Sequence, residues 1–89
     1  MQSRRYIISG RVQGVWYRAA VQERAGEAGF SGYIRNLPGG GVEAAVSCED
    51  EACFARFETL LWEGSPASVV ENVTYEPMDE VFEGGFERR

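Results

Sequence analysis

Two apolar stripes at helical spacing, each set between short segments of strand character, leave this chain few folds to choose from. Tyr17, Val21, Ala25 and Ala28 recur every three or four residues, which predicts a helix from Ala19 to Ala28 with Arg18 in its first turn. Gly29 stands just past its end as a stop. Phe54, Phe57, Leu60 and Leu61 mark a second helix from about Asp50 to Glu63, with acids gathered at the end the helix dipole favours. Around these helices, Tyr6-Ile7-Ile8, Phe30 to Leu37, Val42 to Val46 and Val69 to Tyr75 read as strands. Pro38-Gly39-Gly40-Gly41 turns the second strand into the third, whose Val42, Ala44 and Val46 give the hairpin one dry face. The alternation of the fourth strand is imperfect around Val70-Glu71-Asn72, and Val81 to Phe86 reads as a weak last strand broken by Gly84-Gly85. The order β-α-β-β-α-β predicts an α+β fold of the ferredoxin-like split βαβ type, an antiparallel sheet with two helices on one face. With no repeats or linkers, residues 1–89 are expected to form a single domain.

The densest chemical signal is Gly10-Arg11-Val12-Gln13-Gly14-Val15-Trp16-Tyr17-Arg18, at the junction of the first strand and the first helix. Gly10 and Gly14 allow a tight turn with no side chain between the amides and an approaching group. Free N–H groups at the helix start favour negative charge, and Arg18 adds a fork of donors matched to phosphate oxygens. The stretch therefore reads as a cradle for a small anion, with the amides of Gln13, Gly14, Val15, Trp16 and Tyr17 as its lining. Taken singly, these features have plainer readings: many turns carry glycine, and most arginines are surface residues. Trp16 and Tyr33 fit packing as well as they fit substrate contact.

What the chain lacks narrows the chemistry. It contains no histidine and no lysine, so Ser-His and Cys-His nucleophile pairs, histidine metal sites, Schiff bases and a Walker-type lysine are all absent. Cys48 and Cys53 match neither a CxxC pair nor a zinc clamp and read as free thiols, a cross-link being the alternative. No metal site and no cofactor are expected. The acids Glu49-Asp50-Glu51 read as helix-start and solubility residues, and Glu43 as a partner for a nearby arginine. The net charge of −5 argues against nucleic acid, and the strand from Val42 to Ser47 has no aromatics to stack on bases. Charge is also uneven. Residues 1–36 hold six arginines against Glu23 and Glu27, a balance of +4, whereas residues 37–89 hold three arginines against twelve acids, a balance of −9. Neither a membrane span nor a signal peptide is visible, so a cytoplasmic protein is expected, with a small molecule as its partner.

Asn36 is the second candidate. In the split βαβ order its strand shares a sheet with the strand that feeds the loop, and its amide can both donate and accept hydrogen bonds. Hydrolysis of a carboxylic–phosphoric anhydride needs little more, because the leaving carboxylate departs unprotonated, with a conjugate-acid pKa of about 4.3. Phosphoryl transfer of this kind asks the protein mainly for placement and charge stabilisation.

Over almost its whole length the chain resembles the acylphosphatases. The resemblance rests on Gly10 to Arg18 and on Gly32-Tyr33-Ile34-Arg35-Asn36-Leu37-Pro38-Gly39-Gly40-Gly41-Val42-Glu43. It implies that Arg18 binds the substrate phosphate, that Asn36 orients the catalytic water and that the loop amides cradle the phosphoryl group. It also implies a cofactor-free hydrolase, expected to be a monomer, acting on small-molecule acyl phosphates and releasing inorganic phosphate. A non-catalytic anion-binding module on the same fold is the alternative. Departures from the family pattern include Tyr17, Ile34, Gly39, Cys48, Ser65 and Ser68, and the ending Glu87-Arg88-Arg89, which lacks the apolar residue usual before the final arginine.

Overall fold

The computed structural model describes residues 1–89. In chain order it contains β1 (Gln2–Arg11), α1 (Tyr17–Glu27), β2 (Ser31–Asn36), β3 (Val42–Cys48), α2 (Glu51–Glu63), β4 (Val69–Met78) and β5 (Phe86–Arg88). The sheet order is β4-β1-β3-β2-β5. The first four strands pair antiparallel, as the split βαβ reading requires, while β5 adds to the free edge of β2 in parallel. The sheet is therefore mixed. The last strand lies later and is shorter than expected, because Gly84 and Gly85 belong to the connection that delivers it. No helix is long and apolar enough to cross a membrane.

Both helices pack on one face of the sheet, and the predicted stripes are their contact surfaces. Tyr17, Val21 and Ala25 of α1 and Phe54, Phe57 and Leu61 of α2 are buried against Tyr6, Ile8, Ile34, Val42, Ala44 and Val46. Ala28 is exposed at the end of α1, and Leu60 is half-buried. Phe57 is the hub, with ring centroids 5.6 Å from Tyr6, 5.3 Å from Phe30 and 5.7 Å from Phe86. It thus joins the first strand, the α1–β2 junction and the trailing strand in one apolar cluster.

The opposite face departs from the expected hairpin with one dry side, since all seven residues of β3 are buried. The cause is the segment before β5, which folds back over the sheet and sets Phe82 on Tyr33 and Ala45 beside Met78. The Ser47 hydroxyl accepts the Phe82 N–H at 2.8 Å and shares a 2.7 Å hydrogen bond with Ser3. Glu43, only 2% exposed, also lies on this face. Its carboxylate accepts from Arg5 Nη1 at 2.7 Å, Arg35 Nε at 2.7 Å and the Tyr33 hydroxyl at 2.6 Å, so it does pair with arginines as expected. Arg5 also pairs with Glu76 on β4. Arg4 points to the helix face, its guanidinium between the rings of Phe54 and Tyr75 and bonded to Glu51 at 2.7 Å.

Two local readings change. Gly10 lies inside β1 rather than in the turn, at a bulge where the β1–β4 register slips between Ser9 and Gly10 and leaves Glu71 unopposed. This bulge is the source of the broken alternation at Val70-Glu71-Asn72. Gly10 has φ 124°, and a Cβ there would fall on the Val69 carbonyl. The two cysteines are not free thiols: Cys48 and Cys53 form a disulfide. The short turn from β3 into α2, where Asp50 caps the Cys53 N–H at 2.9 Å, brings their Cα atoms to 5.7 Å, inside the range a disulfide spans.

The Glu43 cluster has a pH signature. Burial pushes its carboxyl up, but the hydrogen bonds from Arg35, Tyr33 and Arg5 outweigh that and hold the pKa at about 2. A lowered carboxyl pKa stabilises the fold above the unfolded value near 4.5 and loses that contribution as pH falls through about 2. Allowing for the partial exposure of the arginines, the contribution is about 2 kcal/mol. Urea unfolding at pH 7 and at several lower values is expected to find Glu43→Gln less stable at pH 7, with a shallower loss towards pH 2. An acid limb identical to wild type would contradict this assignment.

Candidate active site

The segment between β1 and α1 is held from below and open above. Val12 and Val15 are buried and anchor it in the core. Between and after them, Gly14 has φ 73° and Trp16 has φ 65°, the only positive φ at a residue other than glycine. A left-handed tryptophan is strained by about 1 kcal/mol or more and persists only where its surroundings enforce it. Here the Ser65 hydroxyl donates to the Val15 carbonyl at 2.6 Å, while the Trp16 side chain stands 81% exposed. The Gln13 amide nitrogen donates to the carbonyls of Leu37 at 2.8 Å and Gly41 at 2.7 Å. The loop is thereby pinned to the hairpin that carries Asn36.

The two helix starts are built oppositely. Asp50 caps α2, and Glu51 lies in its first turn. At α1, Trp16 provides no side-chain cap, no acid occupies the first turn, and the first intrahelical bond runs from the Ala20 N–H to the Trp16 carbonyl. The N–H groups of Tyr17, Arg18 and Ala19 thus lie outside the helical ladder, at the positive end of the dipole. Arg18 adds its charge to that end, where a cation disfavours the helix itself. Its Nη1 donates to the main-chain oxygen of Arg89 at 2.9 Å. A helix start that its own chain leaves uncapped and doubly positive suits an anion from outside.

A cleft of about 290 Å³ opens there. Val12, Gly14, Trp16, Tyr17, Arg18 and Ala19 line one side, Asn36 of β2 and Arg88 of β5 the other, and no acidic residue is among them. Of the residues expected at the site, Gly14, Trp16, Tyr17, Arg18 and Asn36 are brought together. The Tyr17 side chain itself turns inward, its hydroxyl donating to the Leu61 carbonyl at 2.7 Å with its pKa raised by burial. Gln13 and Val15 are not among the residues that line the cleft; the side chain of the first is bonded to the hairpin and that of the second is buried in the core. Arg88 is the charged lining residue that sequence reasoning missed. Its one signal was the missing apolar residue before the last arginine.

A family model described as acylphosphatase matches residues 4–88. The chain belongs to the acylphosphatase family. An acylphosphatase of Xanthomonas oryzae pv. oryzae is 47% identical over 77 residues, covering 86% of either chain. A solved acylphosphatase structure from Coxiella burnetii has a TM-score of 0.86 at 32% identity, covering 99% of this chain and 92% of that one. Another, from Bacillus subtilis, has a TM-score of 0.86 at 31% identity, covering 100% and 99%. This family member is accordingly an enzyme of the hydrolase class.

Its loop should depend on Gln13. Replacing Gln13 with Ala removes both ties to the hairpin and is expected to lower stability by about 1–2 kcal/mol in urea unfolding. The Leu37 amide, bonded to the Gly41 carbonyl at 2.8 Å, should exchange its hydrogen faster. Unchanged exchange at Leu37 would show that the hairpin holds without Gln13.

Proposed function

We propose that the chain hydrolyses the carboxyl–phosphate bond of small acyl phosphates, with Arg18 and the amides at the start of α1 holding the phosphoryl group and Asn36 placing the water. The observation that carries this reading is the meeting of Arg18 and Asn36, from different elements, in one cleft at an uncapped helix start. Charge on the equatorial oxygens would be met by the Arg18 fork and the free N–H groups, which are already oriented. The Asn36 carbonyl oxygen can accept a hydrogen bond from water and direct the water's lone pair at phosphorus.

The bond accounting is simple. The water oxygen forms a bond to phosphorus, and the bond between phosphorus and the acyl oxygen breaks. The bonding pair leaves with the carboxylate. One water proton stays on the new phosphate oxygen, and the other passes to phosphate or solvent. No side chain need protonate the leaving group, because a carboxylate is already a weak base. A chain without histidine or lysine can run this reaction, and inorganic phosphate should inhibit it as a product.

Benzoyl phosphate hydrolysis with EDTA present tests the assignment. Asn36→Ala is expected to lose roughly 100- to 1,000-fold in kcat. Arg18→Ala should lose turnover and also raise both KM and the inhibition constant of phosphate. Full activity in Asn36→Ala would sink the water-placing role, and dependence on added metal would sink the cofactor-free one. With no carboxyl, imidazole or thiol side chain lining the cleft, turnover is also expected to be level from about pH 5.5 to about pH 8.

A further inference from the structure

Arg88 is a guanidinium in the cleft with no partner of its own. Five of the nine arginines form ion pairs or bond to carboxylates or a backbone carbonyl away from the cleft: Arg4, Arg5, Arg24, Arg35 and Arg89. Arg18 bonds to the Arg89 main-chain oxygen. Arg88 makes no ion pair and no side-chain hydrogen bond, yet it lines the cleft with Arg18 and Asn36.

Its position follows from the strand. Phe86 packs in the core below the helices, and Arg88, two residues on, shares that face of β5. In the parallel pairing with β2, Arg88 lies opposite Ile34, which is fully buried. The position therefore ends an apolar row, where an arginine can lay its stem on hydrocarbon and bring its head to the cleft. The neighbouring charges go elsewhere. Glu87 pairs with Arg89 at 3.4 Å, and the Arg89 guanidinium stacks 4.1 Å from the centre of the Tyr33 ring on the opposite face of the sheet.

We propose that Arg88 determines substrate choice, favouring acyl phosphates whose acyl group carries a second carboxylate. This rests on the hydrolase reading given above: Arg18 and the helix start take the phosphoryl group, and Arg88 takes the far end of the acyl group. A guanidinium presents paired donors that a planar carboxylate accepts two at a time. No acidic side chain lines the cleft to quench it, and the exposed Trp16, also in the lining, offers an apolar surface to the acyl chain. The substrates would be the monophosphorylated derivatives of dicarboxylic acids.

The test compares kcat/KM for benzoyl phosphate with that for 3-carboxybenzoyl and 4-carboxybenzoyl phosphates, whose rigid rings prevent cyclisation. In Arg88→Leu, the ratio of carboxylated to plain substrate is expected to fall roughly five- to ten-fold for at least one isomer, mainly through KM. Arg88→Lys should restore part of that ratio. A ratio unaltered by Arg88→Leu for both isomers overturns the proposal, whether both rates fall together or neither does. A joint fall with weaker inhibition by inorganic phosphate would assign Arg88 to the phosphoryl group instead. Wild-type protein that turns over none of the three substrates would instead refute the hydrolase reading itself, and this inference with it.

Discussion

Glu43 is the one charged side chain among the buried residues, and the strands that carry the cleft are registered against it. Its carboxylate takes donors from Arg5 on β1 and from Tyr33 and Arg35 on β2. A one-residue slip between β2 and β3 would send Tyr33 and Arg35 to the helix face and bring Ile34 to the other. The carboxylate would then be buried without its partners, a loss of several kcal/mol in a typical protein. Asn36 ends the same strand, opposite Val42 and next to the Arg35–Glu43 pair. The ion cluster on the back of the sheet thus sets where the amide on its rim can stand. An apolar residue at position 43 would bury as easily but would accept either register.

The front of the sheet shows the complementary device, a helix start left unfinished. α2 is closed by its own chain: Asp50 caps it, Glu51 bonds to Arg4, and the Cys48–Cys53 bridge ties it to β3. α1 begins with a left-handed tryptophan, no cap and a cation in its first turn. Each of those features disfavours the helix by a few tenths to about 1 kcal/mol. They persist because the segment is over-determined from beneath, by buried Val12 and Val15, by Gln13 on the hairpin and by Ser65 on the Val15 carbonyl. Donors held this way need little rearrangement when charge develops in front of them, and that readiness gives a polar site its effect on rate.

How much of this could be read in advance depends on the range of each interaction. The helical stripes and the strand order are local patterns, and they held: Phe54, Phe57 and Leu61 are the buried face of α2, and Tyr17, Val21 and Ala25 that of α1. The broken alternation at Val70-Glu71-Asn72 was visible as an irregularity, but its cause was not. The bulge arises from the close approach of Gly10 to Val69, about sixty residues away in the chain. The disulfide was misread because spacing and composition do not say that a capped turn brings Cys48 and Cys53 together. The second buried face of β3 was missed because Phe82 comes from a segment with no periodicity at all. For the site, glycine positions and arginine chemistry singled out the loop, and strand order brought Asn36 near it. The tie that the Gln13 side chain makes to the hairpin was not foreseen, since a side chain reaching Leu37 and Gly41 leaves no trace in the pattern of its neighbours.

The trailing strand explains how an acidic protein can present a positive cleft. Its two arginines belong to the acid-rich half of the chain, yet β5 pairs with β2 and returns them to the basic half. Strand geometry then sorts the charges: Glu87 and Arg89 go to one face and Arg88 to the other. Arg88 therefore adds to the field of Arg18, while Glu87, next to it in sequence, is kept out of the cleft. Two guanidinium groups in a recess lined by no acidic side chain attract anions locally, against a net charge of −5 that repels them from afar. Screening by salt weakens the long-range repulsion more than the contact, because the Debye length at physiological ionic strength, about 8 Å, exceeds a hydrogen bond and falls short of the protein's width. The cleft's positive charge is therefore a property of strand placement rather than of composition.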